Sequence, residues 1–376
     1  MSNVVVIVGL GLSGLAAFRE LKQLNRHRFL LIEPRDYLLD CVRLPLSLTT
    51  PEEPLDKLVH PLNVVGPDSE HIRGFVTSVS DTHLTVEMLD GTALELSLSG
   101  GETGTTGTSV MDEIKRNGIH RLIMCTGIQK AVCPGKRQVL TIDTFKSEFQ
   151  ALKDSVSRCQ HVLVNGGGPT SLEMAGFLRK AGMSVTVICR DEILKGQEQG
   201  FQRRVASELQ RQGIDVRTHT TLVSPIHEFH QSFPSFSVFG APQTLELSAD
   251  VPSTVEAIDL YVQGFTADRD LQFEVNDQFL TKEDSKIQAI GGCANIETDM
   301  FYFAEKQASH LASHFSDPQA YAHPMSVMLL DLGGCCVATA DVSWLGRCTF
   351  SNFFTSGLAC FKYRKMLSTC QRLSGQ

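Results

Sequence analysis

The chain of 376 residues has no uninterrupted apolar stretch of about 18 residues, the length that a membrane-spanning helix needs. It has no long run of basic residues either, and its 42 Asp and Glu outnumber its 34 Lys and Arg. Nucleic-acid-binding proteins carry clustered positive charge, so this class is excluded. The first residues show neither the basic region nor the cleavage site of a secretory signal. We expect a cytoplasmic protein that binds no nucleic acid.

The cysteines do not form a disulfide framework. Their number, 11, is odd, no C-x-x-C pair occurs, and Cys335 and Cys336 are adjacent. This usage favours buried thiols in a reducing compartment. Among the histidines, His310 and His314 have the spacing of a metal-ligand pair, but two polar residues on one helix face explain it equally. We expect no metal ion.

The most informative feature that is present is an internal repeat. Residues 4–8 (VVVIV) form an apolar, β-branched run of strand length that leads into a glycine-rich turn and a helical pattern. The same order returns at residues 161–182. Four pairs of residues share one separation of 157 positions: Gly9 and Gly166, Gly11 and Gly168, Gly14 and Ser171, Glu33 and Arg190. The repeat predicts two dinucleotide-binding βαβ units.

Each glycine of such a turn has its own physical task. The first adopts backbone angles that side chains disfavour, the second lets a pyrophosphate approach the main chain, and the third lets helix and strand pack closely. The helix N-terminus supplies free N–H groups to the phosphates. Glu33 ends the second strand, where an acid accepts hydrogen bonds from ribose hydroxyls.

The second copy departs from this pattern. Ser171 replaces the third glycine, and Arg190 stands where the first copy has Glu33. A guanidinium pairs with a 2′-phosphate but cannot accept a hydrogen bond from a ribose hydroxyl, which favours NADPH over NADH. The alternative is that Arg190 is a solvated loop residue, and that Asp191 or no side chain reads the ribose.

Other patterns indicate the domain arrangement. Residues 73–98 alternate apolar and polar residues around an Asp-Gly turn, which predicts a small antiparallel meander. Strand patterns follow near 257–265 and 286–290, and a helical pattern ends this part of the chain. We predict an α/β fold with two Rossmann-like three-layer domains, the second inserted in the first, and a C-terminal α+β segment. The first domain comprises residues 1–138 and 255–323, the second 139–254, and the segment 324–376.

The ordered set of motifs resembles the flavoprotein reductases with two dinucleotide-binding domains, the pyridine nucleotide-disulfide oxidoreductase superfamily. The chain is most similar to the apoptosis-inducing-factor-like proteins of the ferroptosis-suppressor type, and more distantly to the type II NADH dehydrogenases. The resemblance covers nearly the whole chain. It is carried by the first glycine turn, Thr126-Gly127, PGK at 134–136, GGGPTSLEMA at 166–175, DLYVQGF at 259–265, AIGGCAN at 289–295 and VSWLGR at 342–347.

The resemblance implies that the first domain binds FAD and the second NADPH or NADH. For FAD it implies pyrophosphate contacts from the first turn, a ribose contact from Glu33, an adenine contact from the main chain of Val76 and a phosphate contact from Arg43. It also implies that Glu173 lies at the nicotinamide end of the domain interface, unless this residue faces solvent. The implied cofactor-binding residues are Gly9, Gly11, Leu12, Ser13, Gly14, Glu33, Arg43, Val76, Thr126, Gly127, Gly166, Gly168, Pro169, Arg190, Gly264 and Gly292.

The implied reaction is an FAD-dependent oxidation of NAD(P)H with a small-molecule electron acceptor of the quinone type. The family has an aspartate in its late flavin motif where this chain has Gly292. Loss of that charged hydrogen bond weakens flavin binding by about 1.5–3 kcal/mol. Gly292 and Ser171 therefore also fit a redox-silent nucleotide-sensing or scaffold protein of the same fold. Cys41, a single cysteine where disulfide reductases carry a pair, is either a redox thiol or a structural one.

The tail combines aromatic residues with Lys362, Arg364 and Lys365. Such a mixture is compatible with peripheral docking on a membrane. The alternatives are that its aromatic residues, among them Trp344, cap the flavin domain or form a homodimer contact.

Overall fold

The computed structural model describes residues 3–50, 52–101, 107–127, 140–223, 229–232, 236–240, 244–248, 253–256, 259–264, 272–281, 286–296, 301–315, 321, 327–333, 335–342, 346–351 and 355–374. The helices in these ranges are α1 (Leu12–Gln23), α2 (Leu44–Thr49), α3 (Val110–Asn117), α4 (Ile142–Val156), α5 (Pro169–Lys180), α6 (Gln199–Arg211), α7 (Phe301–His314) and α8 (Thr355–Ser374).

The strands fall into a first group, before the second glycine turn, and a second group after it. The first group is β1 (Asn3–Val8), β2 (His27–Ile32), β3 (Tyr37–Leu39), β4 (Val59–Pro61), β5 (Ser69–Ile72), β6 (Gly74–Val79), β7 (His83–Met88), β8 (Ala93–Ser97), β9 (Arg121–Met124) and β10 (His161–Asn165). The second group is β11 (Ser184–Ile188), β12 (Asp215–Arg217), β13 (Thr221–Leu222), β14 (Phe229–Ser232), β15 (Phe236–Gly240), β16 (Thr244–Ser248), β17 (Ser253–Glu256), β18 (Leu260–Gly264), β19 (Ile287–Ala289), β20 (Val327–Asp331), β21 (Cys336–Val342) and β22 (Gly346–Ser351).

The first domain is built on a parallel sheet of order β19-β9-β1-β2-β5. Its central strand β1 is covered on both faces, which explains why its sequence is continuously apolar. Val4, Val6 and Val8 pack with the β6-β7-β8 meander and α3, whereas Val5 and Ile7 pack with α1 and α7. Three layers result, and both the meander and the return of the chain through β19 are confirmed.

The second domain has a sheet of order β12-β11-β10-β18-β15-β14. The four strands β12, β11, β10 and β18 are parallel, and β15 and β14 add an antiparallel edge. The predicted boundary after residue 254 is wrong. Because β18 lies between β10 and β15, residues 260–264 belong to the second domain and not to the first.

The two domains share a hydrophobic core. Tyr37, Leu44 and Leu48, from the segment that follows β2, lie in one cluster with Leu172 and Leu178 of α5. Packed side chains thus connect the segment after β2 with the helix that follows the second glycine turn.

The C-terminal segment is an α+β unit, as predicted, with an antiparallel sheet of order β20-β21-β22 followed by α8. Met366, Cys370 and Leu373 of α8 join the hydrophobic cluster under α1. The end of the helix is held by Arg19, whose Nε donates to Leu373 O at 2.9 Å. The described part of α8 therefore caps the first domain.

Trp344 and PGK at 134–136 lie outside the described residues, and membrane and dimer contacts remain predictions. Of the helices within the described ranges, none combines the length and the apolar character needed to cross a bilayer.

Candidate functional site

The first glycine turn lies between β1 and α1, at the sheet edge where the carboxyl ends of β1, β2, β9 and β19 meet. Gly9 has a φ of 90°, which a side chain disfavours. A Cβ on Gly14 would overlap the carbonyl oxygen of Gly9, so α1 can approach β1 this closely only with glycine there. The tasks predicted for these two glycines are confirmed.

Gly11 faces open space, since a Cβ placed on it would meet no atom within 4 Å. Gly11 is also the N-cap residue of α1, and no side-chain hydrogen bond caps this helix end in the described part of the chain. The free N–H groups of the first turn, which includes Leu12, Ser13 and Gly14, are therefore available to a phosphate. The chemistry of this cradle fits the pyrophosphate of a dinucleotide.

Glu33 is buried at the end of β2, beside the first glycine turn. Its Oε2 accepts from Leu10 N at 2.8 Å, and Arg35 donates to Oε1 through Nε at 2.7 Å. Burial opposes ionisation, but the charge and hydrogen bonds of Arg35 outweigh it and lower the pKa of Glu33. The Arg35 N and Nη2 bonds, at 3.2 and 3.3 Å, fill the remaining acceptor sites of the carboxylate. A ribose hydroxyl would have to displace one of these Arg35 bonds.

The late motif after β19 reaches the same turn. Residues Gly291–Cys293 form a 3₁₀ turn, and a Cβ on Gly291 would overlap the Oγ of Ser13. The Gly292 carbonyl accepts from Gln272 Nε2 at 3.0 Å. The late motif therefore contacts the first glycine turn, but Gly292 supplies no carboxylate for a ribityl chain.

The second glycine turn has the same construction. Gly166 has a φ of 124°, Gly168 is the N-cap residue of α5, and Pro169 is its first residue. Proline suits this position because its missing N–H has no helical partner to lose. Ser171, at the third glycine position, is buried at 3% exposure.

Hydrogen bonds identify which residues correspond in the two copies. Gly9 N donates to Ile32 O, and Gly166 N donates to Ile188 O. The residue after Ile188 is Cys189, so Cys189 and not Arg190 occupies the position of Glu33. The main chain agrees, because Glu33 N donates to Ile72 O on the next strand and Cys189 N donates to Arg217 O. The sequence offset is wrong by one here, since β11 (Ser184–Ile188) is one residue shorter than β2 (His27–Ile32).

Arg43 contacts protein oxygens instead of lying open to a phosphate. Its Nη1 donates to Glu53 Oε1 at 2.8 Å, its Nη2 donates to Tyr363 O at 2.7 Å, and its Nε lies 3.5 Å from Asp40 Oδ2. The side chain is 7% exposed. The expected phosphate contact is therefore wrong for this arrangement, because the guanidinium is already engaged in holding α8.

Glu173 is buried and does not face solvent. Its Oε1 lies 2.6 Å from Lys362 Nζ and accepts from Asp331 N at 3.0 Å. The solvent-facing alternative is thus wrong, and a role in positioning nicotinamide remains a prediction. Sequence reasoning missed Lys362 as its partner, because 189 positions separate the two residues.

The other candidate residues take the following places. Cys41 is half-buried, and its thiol donates to Leu39 O at 3.6 Å. Val76 lies in β6 opposite Val86, and Thr126 and Gly127 follow β9 at the edge that carries the first turn. Gly264 is the last residue of β18. Ligand roles for Cys41, Val76 and Gly264 remain predictions.

Two sheets of parallel strands, the second with an antiparallel edge, each carry a glycine turn and a helix whose N-terminus has no side-chain cap among the described residues. They define a protein with two dinucleotide-binding domains. A fungal protein described as oxidoreductase ptaL, from Pestalotiopsis fici, is 23% identical over 336 residues, which is 82% of each chain. The sulfide:quinone oxidoreductase of Aquifex aeolicus superposes with a TM-score of 0.69 at 15% identity, over 99% of this chain and 92% of that one. NDH2 of Plasmodium falciparum, solved with NADH, gives 0.67 at 12% identity, over 100% and 97%. At these identities the solved structures show the fold alone.

The chain belongs to the pyridine nucleotide-disulphide oxidoreductase family, whose profile matches residues 3–313. Members of this family are NAD(P)H-dependent flavin oxidoreductases that use FAD and NAD(P)H.

Proposed function

We propose that the protein is an FAD-dependent NAD(P)H oxidoreductase, of the apoptosis-inducing-factor-like subgroup, that passes electrons to a small-molecule acceptor of the quinone type. FAD binds the first domain and the nicotinamide nucleotide the second. The observation that carries this proposal is the pair of glycine turns. Each lies at the carboxyl ends of parallel strands, and each is followed by a helix whose N-terminus has no side-chain cap in the described part of the chain.

The residues of this chain bind the two nucleotides and orient them relative to each other. The N–H groups of Ser13 and Gly14 belong to the first turn of α1, whose dipole favours phosphate charge. FAD held by these residues would supply the redox chemistry, as hydride acceptor for the nicotinamide and as electron donor for the second substrate. The shared core between α2 and α5 holds the two cradles in a fixed relation, which favours transfer between aligned rings.

A quinone acceptor is supported by the family resemblance and by the fold shared with a sulfide:quinone oxidoreductase. A cytoplasmic location, peripheral membrane contact through residues 324–376 and a homodimer are parts of the same proposal. Sedimentation of the protein with vesicles of anionic lipid tests the membrane contact, and a result equal to that with neutral vesicles contradicts it.

The test begins with the visible spectrum of the purified protein after incubation with FAD and gel filtration. We expect a retained flavin band that is bleached by NADPH or NADH under anaerobic conditions and restored by a water-soluble ubiquinone analogue. Colourless protein that retains no FAD and oxidises neither nucleotide contradicts the proposal.

A redox-silent nucleotide-binding protein is the second candidate, because Gly292 and Arg43 do not supply the flavin contacts that the family resemblance implies. This candidate predicts binding of nucleotides without bleaching of any flavin. Calorimetric titration with NADPH and NADH, on the same preparation, separates the two functions.

A further inference from the structure

A buried amide side chain on α7 reaches the late motif. Gln307 is 3% exposed, and its Oε1 accepts from Gly291 N at 2.7 Å. A polar group is buried without loss of stability only where it is hydrogen-bonded, so this contact has an energetic reason to persist. It joins the middle of a helix to the first residue of the 3₁₀ turn that follows β19.

Other contacts hold the carbonyl groups of the same turn. Phe273 N donates to Cys293 O at 2.7 Å, and Gln272 Nε2 donates to Gly292 O at 3.0 Å. Neither bond restrains the N–H group at the start of the turn, which is the group that Gln307 holds. The orientation of that peptide group therefore depends on Gln307.

Gly291 lies directly against the first glycine turn. It has a φ of 77°, and a Cβ on it would overlap the Oγ of Ser13. Ser13 belongs to the first turn of α1, whose N–H groups form the phosphate cradle. Because atoms in contact leave no free space, a shift of Gly291 is transmitted to Ser13.

The helix that carries Gln307 is itself fixed against α1. Ala308 and Leu311 of α7 lie in one hydrophobic cluster with Leu15 and Phe18 of α1. The late turn has no side chain at position 292, so it acts on a ligand only through the placement of its backbone. These two facts make the link from α7 to the turn important for the cradle.

We propose that Gln307 is a positioning residue of the flavin site, because its carboxamide fixes the Gly291–Cys293 turn against Ser13 and so sets the shape of the phosphate cradle. The proposal rests on the proposed function for FAD as the ligand of the first domain. It adds a residue outside both glycine motifs, which acts through the turn and not by contact with the flavin. No covalent step is involved.

Titration of FAD-depleted protein with FAD, followed by quenching of flavin fluorescence, tests this role. Gln307→Met keeps nearly the same length and removes the acceptor, so FAD binding should weaken by about tenfold. Gln307→Glu retains an oxygen acceptor and should bind FAD within about threefold of the wild type. Unchanged affinity in Gln307→Met, or no recovery in Gln307→Glu, overturns the proposal.

Leu311→Ala is the matched control. Leu311 is fully buried one helical turn beyond Gln307, and its truncation leaves a cavity in the cluster shared with α1. The melting temperature should fall, whereas FAD affinity should stay within about twofold. A loss of FAD affinity equal to that in Gln307→Met would assign the effect to general packing of α7 and overturn the proposal.

A double variant tests whether Gln307 acts through the turn. Gly291→Ala places a methyl group on Ser13 Oγ and displaces the turn directly. Gln307→Met should then cause little further loss of FAD affinity, because both changes disturb one contact. Fully additive losses would show that Gln307 acts on FAD by another route, and they contradict the proposal.

Addition of NADPH and NADH to the same proteins separates this inference from the proposed function. FAD affinity that depends on Gln307, in a protein that oxidises neither nucleotide, supports the inference and contradicts the proposed function. FAD affinity that is the same in Gln307→Met and the wild type, in a protein that oxidises NADPH, leaves the proposed function in place and overturns the inference.

Discussion

Lys362 Nζ lies 2.6 Å from Glu173 Oε1, and this ion pair joins the C-terminal helix α8 to α5, the helix of the second glycine turn. The two side chains are 12% and 10% exposed. The next residue, Tyr363, accepts through its carbonyl from Arg43 of the first domain. Consecutive residues of α8 therefore contact the two domains, and α8 connects them.

Lys362→Met should lower the stability of the protein strongly. It leaves the Glu173 carboxylate buried without its cation, and breaking a buried ion pair on one side costs about 3–5 kcal/mol. The double variant Glu173→Gln, Lys362→Met should recover most of this loss, because no buried charge then remains. Thermal unfolding checks both, with Arg364→Gln on the exposed side of α8 as the control. If Arg364→Gln lowered the melting temperature as much as Lys362→Met, the buried ion pair would not explain the loss of stability.

Gly11→Ala and Gly14→Ala form a matched pair. The methyl group on Gly11 enters open space, so the protein should fold normally and lose FAD affinity because the group occupies the cradle. The methyl group on Gly14 overlaps Gly9 O, so α1 must move and the melting temperature should fall as well. Circular dichroism melting and flavin retention after gel filtration distinguish the variants. Unchanged flavin retention in Gly11→Ala would show that the first glycine turn is not part of the FAD site.

Gly292→Asp should increase flavin affinity. It adds the carboxylate that the family resemblance implies at this position, and a charged hydrogen bond of about 1.5–3 kcal/mol corresponds to about ten- to a hundredfold in the dissociation constant. Quenching of FAD fluorescence during titration gives this constant. Gly292→Asn has nearly the same volume without the charge and should gain less, so equal gains would contradict the charge argument.

Asp40 should make stability depend on pH. It is fully buried, and this burial outweighs the hydrogen bonds and charge of Arg43 and raises the pKa of Asp40 to about 6. In the unfolded chain an aspartate titrates near 3.9, so the folded protein holds the proton more tightly. The contribution of Asp40 is therefore full below about pH 4 and is lost, by roughly 3 kcal/mol, as the pH rises through 6.

Urea unfolding between pH 4 and 7, for the wild type and Asp40→Asn, checks this dependence. The difference between the two free energies of unfolding should change by about 1.36 kcal/mol per pH unit between pH 4 and 6 and be flat at pH 7. Parallel curves over the whole range would show that Asp40 does not titrate there.

The sequence predicted the residues whose structural role depends on neighbours close in the chain. The strand β1 reads as a continuous apolar run because both of its faces are buried. The Gly9 and Gly14 positions follow from backbone angles and close packing within a few residues. Glu33 was placed correctly beside the turn, although its engagement with Arg35 was not foreseen.

The errors concern residues whose neighbours are distant in the chain. Arg43 was assigned to a phosphate, whereas packing of α8 places Tyr363 O on its guanidinium. The boundary after residue 254 missed β18, since a strand pattern does not state which sheet it will join. Arg190 was matched to Glu33 by counting, and a strand shorter by one residue put Cys189 there instead.

The sequence by itself determined two dinucleotide-binding units, because the backbone geometry of a glycine turn is a local property of the chain. Only the tertiary structure decided which charges meet. Glu173 and Lys362 are 189 positions apart, and their distance depends on how α8 packs across both domains. The positions of Cys189 and Arg190 at the end of β11 depend on strand register, where a shift of one residue moves each side chain to the other face of the sheet.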